Sequence, residues 1–462
     1  MLMHILPVAV SLPIATGGIQ RDDPIIFDQE QGALLSLDMQ AGVFRPVFSG
    51  PDVLNNPPGV ASPTDVGGGP ALGRSVVGAM ASGAGREVYI GRSNSGVGEL
   101  FAIDVFTGDR RLLSDDTLLF PGTDEPVWLS VEWLGFDSAE RLIVLTFRSV
   151  FAYDITTGGV ELLSSRERGS GPMFRGPRDG LLIDDSTLLV SDDFSTNVLF
   201  SIDLVTGERS VVSWLNQSAQ ADWQIFNDAN APFPPFLVLT PDDFGPGPVT
   251  SNNGLSDIGL LDGVVYASGV GVYDNGPQLF EGGVVRVDLS DGGREYVFGT
   301  VFESVTSASV GPVIRRSPSN APGYLFEKGD NIVGAPDGRL WFNDRFVTLD
   351  LQAYDPATDG LETVADLVPQ LAPGWTPFLG GTDGSRLRIR DIAFYRGTVC
   401  AADLDGDGDV DLGDFGAFAA SFGSVSGDER FDAKGDLDRD GDVDLGDFGA
   451  FGLEFGRADC LD

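Results

Sequence analysis

One pattern of apolar and polar positions recurs six times in the first 400 residues: apolar, any, apolar, Asp, a short polar step ending in or near Gly, then an apolar pair. Its copies are GALLSLDMQAGVFRPVFS around Asp38, LFAIDVFTGDRRLLS around Asp104 and VFAYDITTGGVELLS around Asp154. They continue with LFSIDLVTGERSVVS around Asp203, VVRVDLSDGGREYVFG around Asp288 and LQAYDPATDGLETVADL around Asp355. Alternation on both sides of a glycine step predicts two antiparallel strands joined by a tight turn. In FAIDVFTGDRRLL, Phe101 and Ile103 fall on one face of a strand, and Thr107-Gly108 supplies the turn. The Asp before the turn is placed to accept hydrogen bonds from turn N–H groups, a structural role, with a ligand role as the alternative.

A further pair of apolar runs precedes most hairpins: GLLIDDSTLLVSDD (180–193), IGLLDGVVYASG (258–269) and IVGAPDGRLWFND (332–344). REVYIGRS (86–93) and ERLIVLTF (140–147) fill the same slot. Four antiparallel strands per repeat describe the blade of a β-propeller. The first repeat lacks an opening strand and starts at PIIFD (24–28), while an orphan strand, IRDIAFYRG (389–397), follows the sixth. Pairing the two within one blade closes the ring and removes free sheet edges. The expected fold class is therefore mainly β: a six-bladed propeller over residues 18–399, closed by its N- and C-terminal strands and followed by a small helical unit. Insertions at 214–253 and 301–330 show no sustained alternation and read as loops. They are either the specificity surface of the propeller or surface excursions without a partner.

The repeat resembles the broad six-bladed group that contains NHL-type repeats and gluconolactonase-like enzymes, and it lacks the Gly-His and Trp-Asp signatures of WD repeats. That resemblance implies a central calcium held by Glu, Asn and Asp. Asp257, Asn331 and Asp391 are the candidates at matching strand ends. No residue-by-residue match carries the lactonase activity over.

The last 63 residues carry the most specific motif. ADLDGDGDVDLGDFGAFAASFG (402–423) and GDLDRDGDVDLGDFGAFGLEFG (435–456) agree at 17 of 22 positions. Each opens with a 12-residue loop of oxygen ligands. Asp403, Asp405 and Asp407 hold positions one, three and five, Gly408 the bend at six, Asp409 a backbone carbonyl at seven, Asp411 nine and Asp414 twelve. Asp436, Asp438, Asp440, Gly441, Asp442, Asp444 and Asp447 repeat the set. This is the spacing with which an EF-hand-type loop wraps Ca²⁺ in hard donors, so two calcium ions are expected. Val410 and Val443 at position eight would pair the loops or pack inward. Phe415, Phe418 and Phe422, and then Phe448, Phe451 and Phe455, lie at helical spacing and read as the core of this unit.

Two loop–helix units with Asp at position twelve and no preceding helix resemble a type I dockerin, over about 60 residues. The resemblance implies docking onto a cohesin-like or other surface receptor. In that family loop positions ten and eleven, often hydroxyl residues, and basic helix residues make the contact. Here those positions are Leu412-Gly413 and Leu445-Gly446, with Gly and Ala along the helices. Cys400 and Cys460, the only cysteines, bracket the unit. They read as a disulfide joining its ends, worth roughly 4 kcal/mol in the chain-entropy account and implying an oxidising compartment, or else as two free thiols.

Charge and leader bear on location and partners. The net charge is −40, with 18 acidic and 4 basic residues in 400–462 alone. Such a chain repels nucleic acid. Residues 5–15, ILPVAVSLPIA, end in Ala15-Thr16-Gly17 and read either as a signal peptide over 1–17 or as an apolar start that packs as an edge strand. No apolar run is long enough to span a membrane as a helix. The single histidine, His4, lies in that leader, which argues against a Ser-His-Asp triad or a His-ligated metal. Two functional classes remain. One is an exported, non-catalytic protein whose propeller recognises a protein or glycan and whose calcium unit docks it to a surface or assembly. The other is a propeller enzyme on carbohydrate (glycoside hydrolase, polysaccharide lyase or lactonase) tethered the same way. No catalytic motif stands out, so the first is preferred.

Overall fold

The computed structural model describes the strands, most of the short turns within blades and most of residues 400–460; the longest stretches outside the described residues are 1–18, 49–68, 119–126, 215–254, 304–312, 322–328 and 366–388. The expected leader and nearly all of the insertion at 214–253 therefore lie outside the described residues.

The described strands form six antiparallel sheets, five of four strands and one of five. The blade that closes the ring runs Ile389–Phe394, Pro24–Asp28, Ala33–Asp38, Val43–Phe48. Its two chain ends are zipped by the pairs Ile26↔Ile392 and Pro24↔Phe394. Counting this as blade one, the innermost strands are Ile389–Phe394, Val76–Ser82, Val131–Phe136, Pro177–Asp184, Leu255–Leu261 and Gly329–Gly334. Each abuts the next, and the sixth returns to the first. The architecture is the six-bladed propeller that the hairpin repeat predicts.

The repeat explains the core. Counting back from the hairpin Asp, positions −1 and −3 face the preceding blade, and −2 and −4 face the following one. Phe101 and Ile103 pack against blade one, while Leu100 and Ala102 pack against blade three. Phe200 and Ile202 face blade three, and Leu199 faces blade five. The hydrophobic core is thus a ring of six inter-blade clusters, and strands buried on both faces carry apolar residues at every step.

The five described hairpin turns are built as Asx turns, and the turn after Asp38 lies outside the described residues. Asp104 Oδ1 accepts from Phe106 N and Thr107 N, each at 2.9 Å, and Asp203 Oδ1 does the same from Val205 N and Thr206 N. Asp154, Asp288 and Asp355 also accept from the residue two positions on. Gly108, Gly158 and Gly207 sit at φ between +72° and +79°, which a side chain would strain.

Three repeats add an arginine two residues after the turn glycine: Arg110, Arg209 and Arg294. All three are buried. Arg209 donates to Pro172 O at 2.9 Å and to Ser164 Oγ at 2.8 Å, and Arg294 donates to Ser213 Oγ at 2.6 Å. Each thereby ties its hairpin to the outer strand of the preceding blade or to the chain leaving it. Burial pushes the Arg294 guanidinium down to about 10 and lowers Arg209 as well.

Two features depart from the sequence pattern. Val313–Arg316, inside the 301–330 insertion, adds a fifth strand to blade five through Thr300↔Ile314. The inner strands Val76–Ser82 and Val131–Phe136 carry β-bulges between Val77 and Ala79 and between Val131 and Trp133, which break their alternation.

Candidate metal centre

After the ring closes, the chain forms two helices, α1 (Leu412–Ser421) and α2 (Leu445–Glu454). Their intrinsic propensity is low, because each carries at least two glycines worth roughly 1 kcal/mol apiece against Ala. Both are started by a full capping box. Asp411 accepts from Gly413 N, and Asp414 accepts from Asp411 N at 2.8 Å. Asp444 and Asp447 repeat the arrangement, with 2.7 Å for the return bond.

Asp414 is fully buried and has a second role. Its Oδ1 accepts from Leu404 N at 2.6 Å and from Asp405 N at 3.2 Å, so one carboxylate ties the start of the first loop to the start of α1. Asp403, also fully buried, accepts from Gly406 N at 2.7 Å and Gly408 N at 3.1 Å. Gly408 at φ +98° makes the bend. The result is that Asp403, Asp405, Asp407 and Asp414 each bring an oxygen within 4.8 Å of the others. Asp409, Asp411 and Asp414 form an overlapping group, and Asp442, Asp444 and Asp447 form one in the second loop. Asp436 accepts from Gly441 N at 3.0 Å, as Asp403 does from Gly408 N. Asp438 and Asp440 lie outside the described residues. Among the described residues, groups of three or more carboxylates within reach of one ion occur in these two loops and nowhere else.

The electrostatics fit a cation. Desolvation, then the charges of Asp414 and Asp407, raise the Asp405 carboxyl above its ordinary range, and Asp409 is raised by desolvation and by Asp407 and Asp411. Carboxylates that crowd one another hold protons more tightly until a counter-charge arrives. An oxygen-only set with a glycine bend suits Ca²⁺, which accepts six to eight such ligands. The Asp at position twelve reaches the group because the capping box draws the helix start onto the loop.

Val410 and Val443 are fully buried and pack inward. They do not pair with each other. Val410 exchanges backbone bonds with Gly456 and Arg457 after α2, and Val443 with Gly423 and Ser424 after α1. The halves are thus interlocked, each loop bonded to the tail of the other helix. Cys400 and Cys460 form a disulfide, and both are fully buried. Cys460 N also donates to Gly408 O at 3.2 Å, bringing the bridge onto the first loop.

The aromatic stripe is only partly core. Phe418 and Phe451 stack with ring centroids 5.2 Å apart and are 1% exposed. Phe415, Phe422, Phe448 and Phe455 are 39–48% exposed. The two short helices enclose the central ring of each and leave the flanking rings at the rim. Leu412 and Leu445 are 74% exposed and sit with the exposed Gly413 and Gly446 at the helix starts.

A second acidic set, missed from the sequence in part, lies on the inner strands of the propeller. Asp179 Oδ2 accepts from Ile258 N of blade five at 2.8 Å, and Asp391 Oδ2 from Met80 N of blade two at 2.7 Å. Each also accepts from the N–H of the next residue in its own strand, at 2.8 Å. Burial, then the charge of Asp257, raises the Asp179 carboxyl well above the ordinary range. These carboxylates join neighbouring blades. Asn331, at φ +60°, donates to Asn343 Oδ1 at 3.0 Å within its own blade. The shared signal, legible after the fact, is an Asp that opens RDGLL, SDIGLL and RDIAF.

No protein-family model matches the chain, and no curated protein matches it. Solved structures match the chain at low similarity. A chain of a nidogen–laminin complex is 9% identical, with 80% of this chain and 97% of that one covered and a TM-score of 0.42. A gluconolactonase from Xanthomonas campestris is 12% identical, with 73% and 83% covered and a TM-score of 0.36. Virginiamycin B lyase from Staphylococcus aureus is 10% identical, with 62% and 69% covered and a TM-score of 0.31. Similarity at this level carries no argument about activity or ligand. Among the described residues no helix is long and apolar enough to cross a membrane.

Proposed function

We propose that residues 400–462 form a dockerin-like unit that binds two calcium ions and docks an exported protein to a cohesin-like or other receptor at the cell surface, while the propeller at 18–399 recognises a protein or glycan. The observation that carries this reading is the convergence of Asp403, Asp405, Asp407 and Asp414 within 4.8 Å on a loop whose glycine bend and capped helix follow the calcium-loop spacing. The buried disulfide supports export to an oxidising compartment. The exposed Leu412-Gly413 and Leu445-Gly446, related by the internal repeat, supply an apolar contact that the receptor would match. Asp179 and Asp391 are engaged by backbone N–H groups of neighbouring blades, which favours recognition over catalysis at the propeller.

Calorimetric titration of calcium into the chelator-treated full chain tests the metal reading. About two equivalents should bind, and the double variant Asp405→Asn, Asp438→Asn should lose most of that binding. Absence of binding at millimolar calcium would overturn it. For docking, the full chain should associate with the envelope of the producing cells in calcium and be released by chelator. The variant Leu412→Lys, Leu445→Lys should bind calcium normally and fail to associate; undiminished association would assign docking elsewhere.

A further inference from the structure

The junction between the propeller and the first acidic loop is built around one buried cation. Arg86, in the turn between the first two strands of blade two, is 3% exposed. Its guanidinium donates to Ala401 O at 2.9 Å. It also pairs with Asp104, at 3.2 Å from Nε to Oδ2 and 3.4 Å from the second terminal nitrogen to Oδ1, and lies 4.9 Å from the centroid of Phe106. Asp104 is the carboxylate that caps the blade-two hairpin, so one ion pair connects that hairpin to the chain leaving the propeller.

The contact is extended on both sides. Tyr395, fully buried at the end of the closing strand, donates to Gly85 O at 3.3 Å. Gly397 passes so close that a Cβ there would lie 1.7 Å from Gly85 O, and Gly406 of the first loop approaches Gly85 as well. Ala401 packs on the core cluster between blades one and two. Asp403, at loop position one, follows Ala401 by two residues. Ala402 N donates to Glu454 of α2 at 2.7 Å. The first loop is thus fastened to the propeller by Arg86, to α2 by Glu454 and to the disulfide through Gly408. The second loop is fastened through Val443 to the tail of α1.

We infer that Arg86 couples metal occupancy of the first loop to the stability of the propeller, so that the two calcium sites are energetically unequal and the propeller and docking unit are held in one fixed orientation. This rests on the calcium reading above. A ligand that binds only the ordered loop stabilises whatever must be ordered with it, and the coupling is reciprocal. A lysine at 86 would keep the charge opposite Asp104, but its single ammonium lacks the fork that serves a carboxylate and a carbonyl together.

All six tryptophans precede residue 400, so intrinsic tryptophan fluorescence reports unfolding of the propeller alone. Thermal melts of the full chain, with calcium alone as the probe, should show the tryptophan transition rising by at least about 2 °C on calcium addition. That rise should disappear in Asp405→Asn and survive in Asp438→Asn. Arg86→Lys should bind calcium by calorimetry and lose most of the rise. Calcium binding that leaves the wild-type tryptophan transition unmoved, or equal loss of the rise in the two loop variants, overturns the coupling alone. Absence of any calcium binding overturns the coupling and the metal reading together.

Discussion

In the propeller, Asp104, Asp154 and Asp203 each turn a carboxylate oxygen onto two backbone N–H groups of their own hairpin. In the segment after it, Asp403, Asp405, Asp407 and Asp414 bring oxygens together within 4.8 Å. The residue is the same, and the difference lies in what surrounds it. A hairpin turn offers backbone donors to each of these carboxylates, and Asp104 adds the Arg86 guanidinium, so no metal ion is needed at those positions. The acidic loops offer fewer donors than acceptors and place like charges side by side, which costs stability until a cation offsets it. Core size follows the same division. The propeller has six inter-blade clusters, whereas the last segment has one small cluster around Phe418, Phe451, Val410, Val443 and the disulfide.

The largest expected effect sharpens that contrast. Phe200→Ala and Phe418→Ala each remove a fully buried ring, and truncating a buried Phe costs about 3–5 kcal/mol. The propeller should absorb this as a lowered melting temperature with its far-ultraviolet β signal intact. The C-terminal unit should instead unfold at ambient temperature, read as loss of helical circular dichroism and of calcium binding. Equal tolerance of both substitutions would break the comparison.

Next in size is the disulfide. Replacing both cysteines, Cys400→Ser with Cys460→Ser, opens a loop with a sequence separation of 60, worth roughly 4 kcal/mol in the chain-entropy account. Calcium should partly restore the helical signal in this variant, because ligand binding and cross-linking stabilise the same folded unit. A helical signal that is unchanged by the double substitution, with or without chelator, would show that the small core suffices alone.

How much of this was legible in the sequence follows from how local each signal is. The hairpins and both acidic loops lie within about 15 consecutive residues each, so alternation, turn glycines and ligand spacing expose them directly. Ring closure was legible because an orphan strand and a missing strand stood at opposite ends. The inner strands at 76–82 and 131–136 were not, since blade two uses Gly78, Ala79 and Ala81 there and blade three interrupts its apolar run with Glu132 and Gly135. Nor was the fifth strand at 313–316, four residues long with two of them Arg. The Arg86–Ala401 contact spans 315 residues of sequence, and only the folded chain brings its ends together. Helical spacing marked six Phe as core, but spacing cannot say how much surface the partner helix covers, and four of them stay at the rim. The G-x-R of three repeats was visible and unread, because a buried arginine answered by carbonyls leaves no acidic partner to search for.

Two aspartates inside the propeller give effects of opposite sign with pH. Asp179 has its carboxyl raised by burial, so the folded protein holds that proton more tightly than the unfolded chain does. Its contribution to stability is therefore highest at low pH and falls as pH rises from the ordinary carboxylate value through the raised one. Asp179→Asn should flatten the dependence of the tryptophan-reported melting temperature on pH above the ordinary carboxylate value of about 3.9. The amide keeps an acceptor for Ile258 N without the buried charge. An unchanged slope would mean that Asp257 or Asp391 holds the proton instead.

The smallest effect belongs to Asp203 at an exposed hairpin. Backbone N–H groups of Thr206 and Val205 hold its carboxyl below the ordinary range, the first outweighing the second. The folded state then binds that proton less readily than the unfolded chain, so the contribution is fully present above a pH of about 3.9 and is lost as pH falls through the lowered value. Asp203→Asn retains the turn acceptor and removes the titration. Its melting temperature should lie slightly below the wild type at neutral pH and decline slightly less steeply in acid, so that the two converge there. Asp154, Asp288 and Asp355 are lowered first by the hydroxyls of Thr157, Ser290 and Thr358 and then by backbone N–H groups, so replacing all four by Asn should multiply this small difference. If the fourfold variant declined in acid as steeply as the wild type, the hairpin carboxylates would be serving as neutral turn acceptors. Their charge would then separate them less from the loop carboxylates than the comparison above requires.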